Sequence, residues 1–275
     1  MSGDGDGWVR CSLGHRHWGR FGAAGLLVND GQRSVLQHRA PWTHEGGTWG
    51  LPGGARDSHE DPVTSALREA REEAAILEPS IAPVGYWIDD HGGWSYTTVV
   101  AGPRTQIRPH PANPESTDVR WWPDEQIAGL PLHQGFAASW PSLRTPPRPL
   151  VLVLADVGAG QRAAAAVRSG ITALARDGIA ARDLPPGVDA GSLSRLLPRI
   201  IVTTALAPGA DAAGWWTASI DSLTEGATVR QAQNAAVSIG AQTVVVTAEP
   251  HPPAPATIRA EPSWLLSVLR ARSPL

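Results

Sequence analysis

Apolar and polar positions follow two different periods along the first half of the chain. The runs "GAAGLLVND" and "RSVLQHRA" are short, aliphatic and strand-like, and the intervening "NDGQ" predicts a hairpin turn. From Pro62 the period changes. Val63, Ala66, Leu67 and Ala70 recur at helical spacing, with no glycine or further proline before Glu73. Asp61 stands where an N-cap belongs, and Pro62 where the first helical turn tolerates a missing N–H, so a helix begins here. Strand-like runs return at "VGYWIDD", "WSYTTVVAG" and "VRWWP", followed by a short helix from Asp124. Together these elements predict a mixed sheet packed by helices, in a first domain spanning residues 1–145 with 1–19 as an N-terminal extension.

Pro141, Pro146, Pro147 and Pro149 suit neither a helix interior nor a central strand, and they predict a linker, placed at 146–150. Beyond it strands and helices alternate. "LVLVLADV" precedes an Ala-rich helix at 161–177, "RIIVTTAL" a helical stretch near 228–238, and "QTVVVTAE" the helix-like "SWLLSVLRAR", with "PHPPAPAT" as an exposed connector. This alternation predicts a small, Rossmann-like parallel α/β domain over 151–275, whose role the residues do not state. A length of 275 residues also favours two cores over one.

A formal charge of -3 does not point to nucleic acid or to an anionic membrane. All 23 basic residues are arginine, so any basic side chain meeting a phosphate does so through a planar guanidinium. Cys11 is the only cysteine, which excludes an intrachain disulfide and suits a reducing cytoplasm. The polar N-terminus lacks the apolar core of a secretion signal, and no apolar run reaches membrane-spanning length, so a cytoplasmic protein is expected.

Charge is nevertheless concentrated: six acidic side chains lie between Asp57 and Glu73. Glu69, Glu72 and Glu73 stand at i, i+3 and i+4, so their carboxylates converge on one helix face. Like charges at this spacing repel by roughly 0.2–0.5 kcal/mol per pair, and Arg68 and Arg71 offset only part of that. A solvated face is the plain alternative; a hard divalent cation with a preference for oxygen ligands would turn repulsion into binding. In full, "GGARDSHEDPVTSALREAREEAAI" resembles the Nudix box, Gly-x5-Glu-x7-Arg-Glu-U-x-Glu-Glu-x-Gly-U, where U is a bulky apolar residue. Gly54, Glu60, Arg68, Glu69, Glu72, Glu73 and Ile76 match in type and distance. Ala70 is small for its position, and Ala75 replaces a glycine that follows the helix end, at a cost of about 1 kcal/mol if the left-handed geometry is kept.

The resemblance covers residues 20–143 and implies an α/β/α sandwich with a mixed sheet, the box forming a loop, helix and loop. It implies Mg²⁺ or Mn²⁺ held by Glu69, Glu72, Glu73 and the carbonyl of Gly53. Glu69 alternatively orients or deprotonates the attacking water, Arg68 holds Glu69, and Glu60 supports the helix and its charges. The implied reaction is hydrolysis of the diphosphate linkage in a nucleoside di- or triphosphate derivative. Oxidised purine nucleotides such as 8-oxo-dGTP lead the substrate classes, with nucleotide sugars and ADP-ribose next. By the same resemblance Arg39 is a candidate phosphate contact and Glu115 a candidate base or metal ligand in a loop. Trp42 and Trp49 are candidates for stacking on a base, and packing is the alternative for both. His133 is read as structural. The partner is a small nucleotide, and a homodimer is left open.

Two other patterns carry chemistry. Cys11, His15 and His17 in "CSLGHRH" have a spacing that zinc accepts, but a closed site needs a fourth ligand that the neighbouring residues do not supply. Asp156 precedes the turn "GAG", which lacks the third glycine of a dinucleotide fingerprint and the lysine of a P-loop. Two rival functions remain: a non-catalytic nucleotide sensor, motivated by Ala75, and a catalytic C-terminal domain such as a nuclease.

Overall fold

The computed structural model describes residues 3–155, 170–202, 220–222, 229–247 and 257–270. The chain forms two compact units, Met1–Pro146 with Gly191–Leu193, and Pro147–Ala190 with Ser194–Leu275.

The first unit opens with an antiparallel hairpin, β1 (Trp8–Arg10) and β2 (Arg16–Trp18), in which Val9 faces His17. The residues ahead of β1 run along the loop before the box helix. Gly5 N–H donates to Asp57 Oδ1 at 2.9 Å, while Ser58 donates from N to Asp4 Oδ1 at 2.9 Å and from Oγ to Asp4 Oδ2 at 2.6 Å. A Cβ on Gly5 would collide with the carbonyl oxygen of Arg56, so this close pass requires glycine.

After the hairpin come β3 (Ala23–Val28), β4 (Arg33–Arg39), β5 (Trp49–Gly50), β6 (Gly53–Ala55) and α1 (Pro62–Ala74). Then follow β7 (Ile81–Asp90), β8 (Ser95–Pro103), β9 (Ser116–Pro123), α2 (Asp124–Ile127) and α3 (Gln134–Leu143). β3 is an interior strand of a mixed sheet: it pairs parallel with β8 and antiparallel with the edge strand β6, and β8 pairs antiparallel with β7. All of β3 is buried, as expected of a strand flanked on both edges and covered by α1.

The hairpin expected around "NDGQ" is only a turn. Asp30 N–H donates to the Arg33 carbonyl at 3.0 Å and Asn29 bridges Ser34, but β3 and β4 then part into different sheets. β4 pairs antiparallel with β5 and β9, so the strands expected to form one sheet form two. Pro141, read from the sequence as linker, lies inside α3 near its C-terminal end, where the missing N–H breaks little of the ladder.

The second unit contains β10 (Leu150–Leu154), α4 (170–177), β11 (Ile179–Ala180), β12 (Arg195–Leu196), β13 (Arg199–Val202) and β14 (Ile220–Ser222). It continues with α5 (Val229–Ser238), β15 (Gln242–Val246), β16 (Thr257–Ala260) and α6 (Pro262–Arg270). A separate parallel sheet runs β14-β13-β10-β15-β16, with β10 at its centre and wholly buried. Ala232 and Ala236 of α5 pack with Val151, Val153, Ile201 and Val245 on one face. Asp156, the "GAG" turn and residues 161–169 of the expected helix lie outside the described residues. Among the described residues, no helix is long and apolar enough to cross a membrane.

Candidate functional site

α1 starts where its sequence places it. Asp61 caps it, Oδ1 accepting from the N–H groups of Val63 at 2.9 Å and Thr64 at 3.0 Å. Ala75 ends it in the left-handed region, φ 55° and ψ 29°, with its N–H still bonded to the Ala70 carbonyl. Val63, Ala66, Leu67, Ala70 and Ala74 form the buried stripe, and Glu73 joins them at 3% exposure.

A carboxylate at that depth needs donors. Gly53 N–H donates to Glu73 Oε2 at 2.8 Å. Gln37, fully buried in β4, satisfies its own amide when its nitrogen donates to Glu73 Oε2 at 3.0 Å and its oxygen accepts from Ser116 Oγ at 2.9 Å. Ser116 Oγ also lies 3.1 Å from the Glu73 carbonyl, which ties the end of α1 to the start of β9.

Arg68 organises the other side of the cluster. Its Nε donates to Glu60 Oε1 at 2.7 Å and its Nη2 to Glu60 Oε2 at 2.9 Å, a bidentate pair. Nη1 reaches Glu69 Oε1 at 2.8 Å, and Nη2 also meets the Ala55 carbonyl at 3.0 Å. Gly54 makes room for Glu69: a Cβ there would sit 2.5 Å from Oε1. Glu72 is the outermost of the three helix carboxylates, its side chain 46% exposed and 3.5 Å from Arg68 Nη1.

One arginine thus serves two carboxylates that titrate in opposite directions. Burial would raise Glu60, but the Arg68 hydrogen bonds and the Asp57 N–H outweigh it and hold Glu60 below the usual carboxyl range. For Glu69 burial wins: despite Arg68 the carboxyl rises to about 7, with the charges of Glu72 and Glu115 adding to the push. Burial and then the Glu69 charge lift Glu73 to about 8, against the Gly53 N–H, Arg39 and Gln37.

Gly53, which donates to Glu73, and Gly54, which packs against Glu69, line a cavity of about 630 Å³ together with Arg39, Trp8, Trp18 and Tyr96, among others. Arg39 stands at the end of β4, where a register shift separates it from His38, and its Nε donates to the His44 carbonyl at 2.9 Å. Glu115 is exposed in the loop before β9, near enough for its charge to act on Glu69. The structure therefore brings Gly53, Glu60, Arg68, Glu69, Glu72, Glu73, Arg39 and Glu115 to one region.

Trp49 stands apart. It is 8% exposed, packed edge-on against Trp122 with ring centroids 5.1 Å apart and tilted against His38 at 4.9 Å. Trp49 is not among the cavity-lining residues, nor is Trp42, which is 71% exposed. Trp8 and Trp18, each 43% exposed and carried by the N-terminal hairpin, line the cavity instead, together with Trp87, Trp94, Tyr96 and Phe136. Gln37 was missed too, although a glutamine amid the apolar run "SVLQ" is the kind of signal that marks a buried polar contact.

A profile of the NUDIX domain matches residues 19–144. A Mycobacterium tuberculosis protein named "Putative 8-oxo-dGTP diphosphatase 3" is 48% identical over 167 residues, spanning 57% of this chain and 76% of that protein. The chain belongs to the Nudix family. It is a Nudix hydrolase by this relationship, and its first unit is a Nudix fold with a mixed sheet. A Bifidobacterium longum "Nucleoside triphosphate pyrophosphatase/Nudix hydrolase fusion protein" is 42% identical over 146 residues, covering 50% of this chain and 30% of that one. Among solved structures, the Nudix hydrolase RenU from M. smegmatis shares 46% identity and covers 51% of this chain and 93% of its own, with a TM-score of 0.48.

Proposed function

We propose that this Nudix hydrolase cleaves the diphosphate linkage of a nucleoside di- or triphosphate derivative with Mg²⁺ or Mn²⁺, in the cytoplasm, and that oxidised purine nucleotides such as 8-oxo-dGTP are its leading substrates. The observation that carries this reading is the buried pair Glu69 and Glu73, set against Gly53 and Gly54, two glycines that line a cavity together with Arg39. Two carboxyls raised to about 7 and about 8 by burial, with the charges of Glu72 and Glu115 adding to Glu69 and that of Glu69 to Glu73, form a donor set short of positive charge. Oxygen-only donors of this kind suit a hard divalent ion, which hydrolases of this family typically use. The name of the mycobacterial relative supports the substrate class.

In this reading Glu69, Glu72, Glu73 and the Gly53 carbonyl hold the metal. When bound, the ion supplies positive charge to the phosphate oxygens and acidifies water. Alternatively, Glu69 orients or deprotonates the attacking water rather than ligating the ion, with Arg68 engaging its Oε1 and leaving Oε2 for that task. Glu60 fixes the plane of the Arg68 guanidinium. Glu115 approaches from the loop as a further base or ligand, and Arg39 contacts phosphate. Because Trp49 packs inward, base stacking is assigned to Trp8 and Trp18.

The second unit is read as a Rossmann-like domain over 151–275. Its sheet places the third, second, first, fourth and fifth strands side by side, the order of five of the six strands of a doubly wound fold. The sensor alternative loses its motive, because Ala75 keeps the left-handed cap and α1 keeps its length.

Release of products from 8-oxo-dGTP, dGTP, ADP-ribose and a nucleotide sugar, followed chromatographically with Mg²⁺ and with EDTA, tests the proposal. Metal-dependent turnover, fastest for the oxidised nucleotide, is expected. Binding without turnover of any substrate in Mg²⁺ or Mn²⁺ would overturn it.

A further inference from the structure

The N-terminal hairpin and the β7–β8 turn meet in a cluster that the box chemistry does not use. Cys11 follows β1 and begins a tight turn: Gly14 N–H donates to the Cys11 carbonyl at 2.9 Å, Cys11 N–H donates to the His15 carbonyl at 3.0 Å, and Gly14 has φ +83°. Across from it, His91 N–H donates to the Trp94 carbonyl at 2.9 Å, closing the β7–β8 turn. Ser12 N–H donates to the Gly92 carbonyl at 2.8 Å and joins the two turns.

This docking gathers Cys11, His15, His17 and His91 so that one ligand atom from each lies within 4.8 Å of all the others. Cys11 is 6% exposed, and the His17 and His91 rings are 4.6 Å apart. Two of the imidazole nitrogens, His17 Nε2 and His91 Nδ1, are buried without a hydrogen-bond partner. Each such atom costs on the order of 1–3 kcal/mol unless something occupies it.

The surroundings orient the rings toward the centre. Asp89 Oδ2 lies 3.2 Å from His91 Nε2 and accepts a hydrogen bond from Nε2–H in the tautomer that leaves the Nδ1 lone pair facing the cluster. His17 stacks on Trp94 with centroids 3.9 Å apart and planes 9° apart, and Trp94 is itself fixed by its Nε1 donating to the Gly19 carbonyl at 3.0 Å. A carboxylate–histidine pair, a buried thiol and unsatisfied imidazole nitrogens are the parts of a closed transition-metal site rather than of a packed aromatic cluster.

We propose that Cys11, His15, His17 and His91 bind one zinc ion in a closed tetrahedral site that clamps the N-terminal hairpin to the β7–β8 turn. One sulfur and three nitrogens, without an oxygen ligand, suit zinc and not the magnesium or manganese of the box. Bonds of about 2.3 Å to sulfur and about 2.0–2.1 Å to nitrogen set ligand atoms about 3.3–3.6 Å apart, so side-chain rotation of roughly an ångström closes the cluster. His15, His17 and His91 also line the cavity beside Gly53, so the bound ion stiffens one of its walls.

Elemental analysis of the full chain tests the site, after production in zinc-supplemented medium without a histidine tag or chelator. About one zinc per chain is expected, retained in Glu72→Gln and lost in Cys11→Ser and His91→Ala. His15 is exposed, so His15→Ala provides a ligand deletion with little risk to the fold, checked by an unchanged circular dichroism spectrum. Cobalt substitution should give the visible bands of a tetrahedral site and a thiolate charge-transfer band that Cys11→Ser abolishes. Less than about 0.1 zinc per wild-type chain, or zinc held equally by wild type and the well-folded His15→Ala, would overturn the proposal.

Discussion

Arg68 grips Glu60 through two parallel hydrogen bonds, of 2.7 Å and 2.9 Å, with the Glu60 side chain only 5% exposed. The fork depends on the planar guanidinium, because an ammonium cannot span both oxygens and also reach Glu69. Glu60→Gln should therefore lower the free energy of unfolding by about 2–4 kcal/mol, since it strips the charge from a largely buried pair. Arg68→Lys should cost less stability but lower kcat, because Glu69 loses its positioning contact. Urea unfolding combined with steady-state kinetics on both variants checks this. Equal, negligible losses in stability would show that the pair is ornamental.

Glu72 and Glu73 should be equally needed for turnover and unequal in stability. Replacing either by glutamine is expected to reduce kcat at least a hundredfold, about 2.7 kcal/mol of barrier. Glu72 is half exposed, so its replacement should change stability within about 0.5 kcal/mol. Glu73→Gln removes a buried charge and should raise the melting temperature of the metal-free protein at pH 8. A kcat loss below tenfold in either variant would count against metal ligation.

The metal-free protein should lose stability as pH rises. Glu69 and Glu73 have folded-state values of about 7 and about 8 against an ordinary 4.5, so the folded chain holds their protons more tightly than the unfolded chain. The resulting stabilisation is complete below about pH 4.5 and drains away as pH climbs through 7 and 8. Mg²⁺ should offset the loss at pH 8 and do little at pH 5, because it binds the ionised carboxylates. Calorimetric melting in EDTA and in Mg²⁺ across pH 5–8.5 reads this directly; a rising trend in EDTA would contradict the described burial.

Ala75→Gly should stabilise the protein. Alanine at φ 55° carries a strain of about 1–2 kcal/mol, partly offset by the greater freedom of glycine in the unfolded chain. A net gain of roughly 0.5–1 kcal/mol in urea unfolding is expected, with turnover unchanged, because the carboxylates lie upstream of the cap.

What was legible in the chain was local. The Asp61 cap, the helix from Pro62 and the convergence of Glu69, Glu72 and Glu73 depend on spacings of three and four residues, which a helix converts directly into proximity. The "NDGQ" turn was legible for the same reason, but the partner of each strand is chosen by distant residues, and β3 took β8 rather than β4. Burial of Glu73 was invisible because its donors come from Gln37 and Gly53, on two other elements. Trp49 turned inward because Trp122, on β9, offered it an edge. His91 could not be matched to Cys11 by spacing, since the docking of two turns and not a motif brings them together.

The lacing of residues 4 and 5 to Asp57 and Ser58 matters for anyone who isolates the catalytic portion by similarity alone. A fragment begun at residue 19, where the family match starts, would discard the segment that immobilises the approach to Glu60. The freed residues would regain roughly 1–2 kcal/mol each of backbone entropy, to be surrendered again whenever a nucleotide docks. Rates measured on such a fragment would then understate what the intact polypeptide achieves.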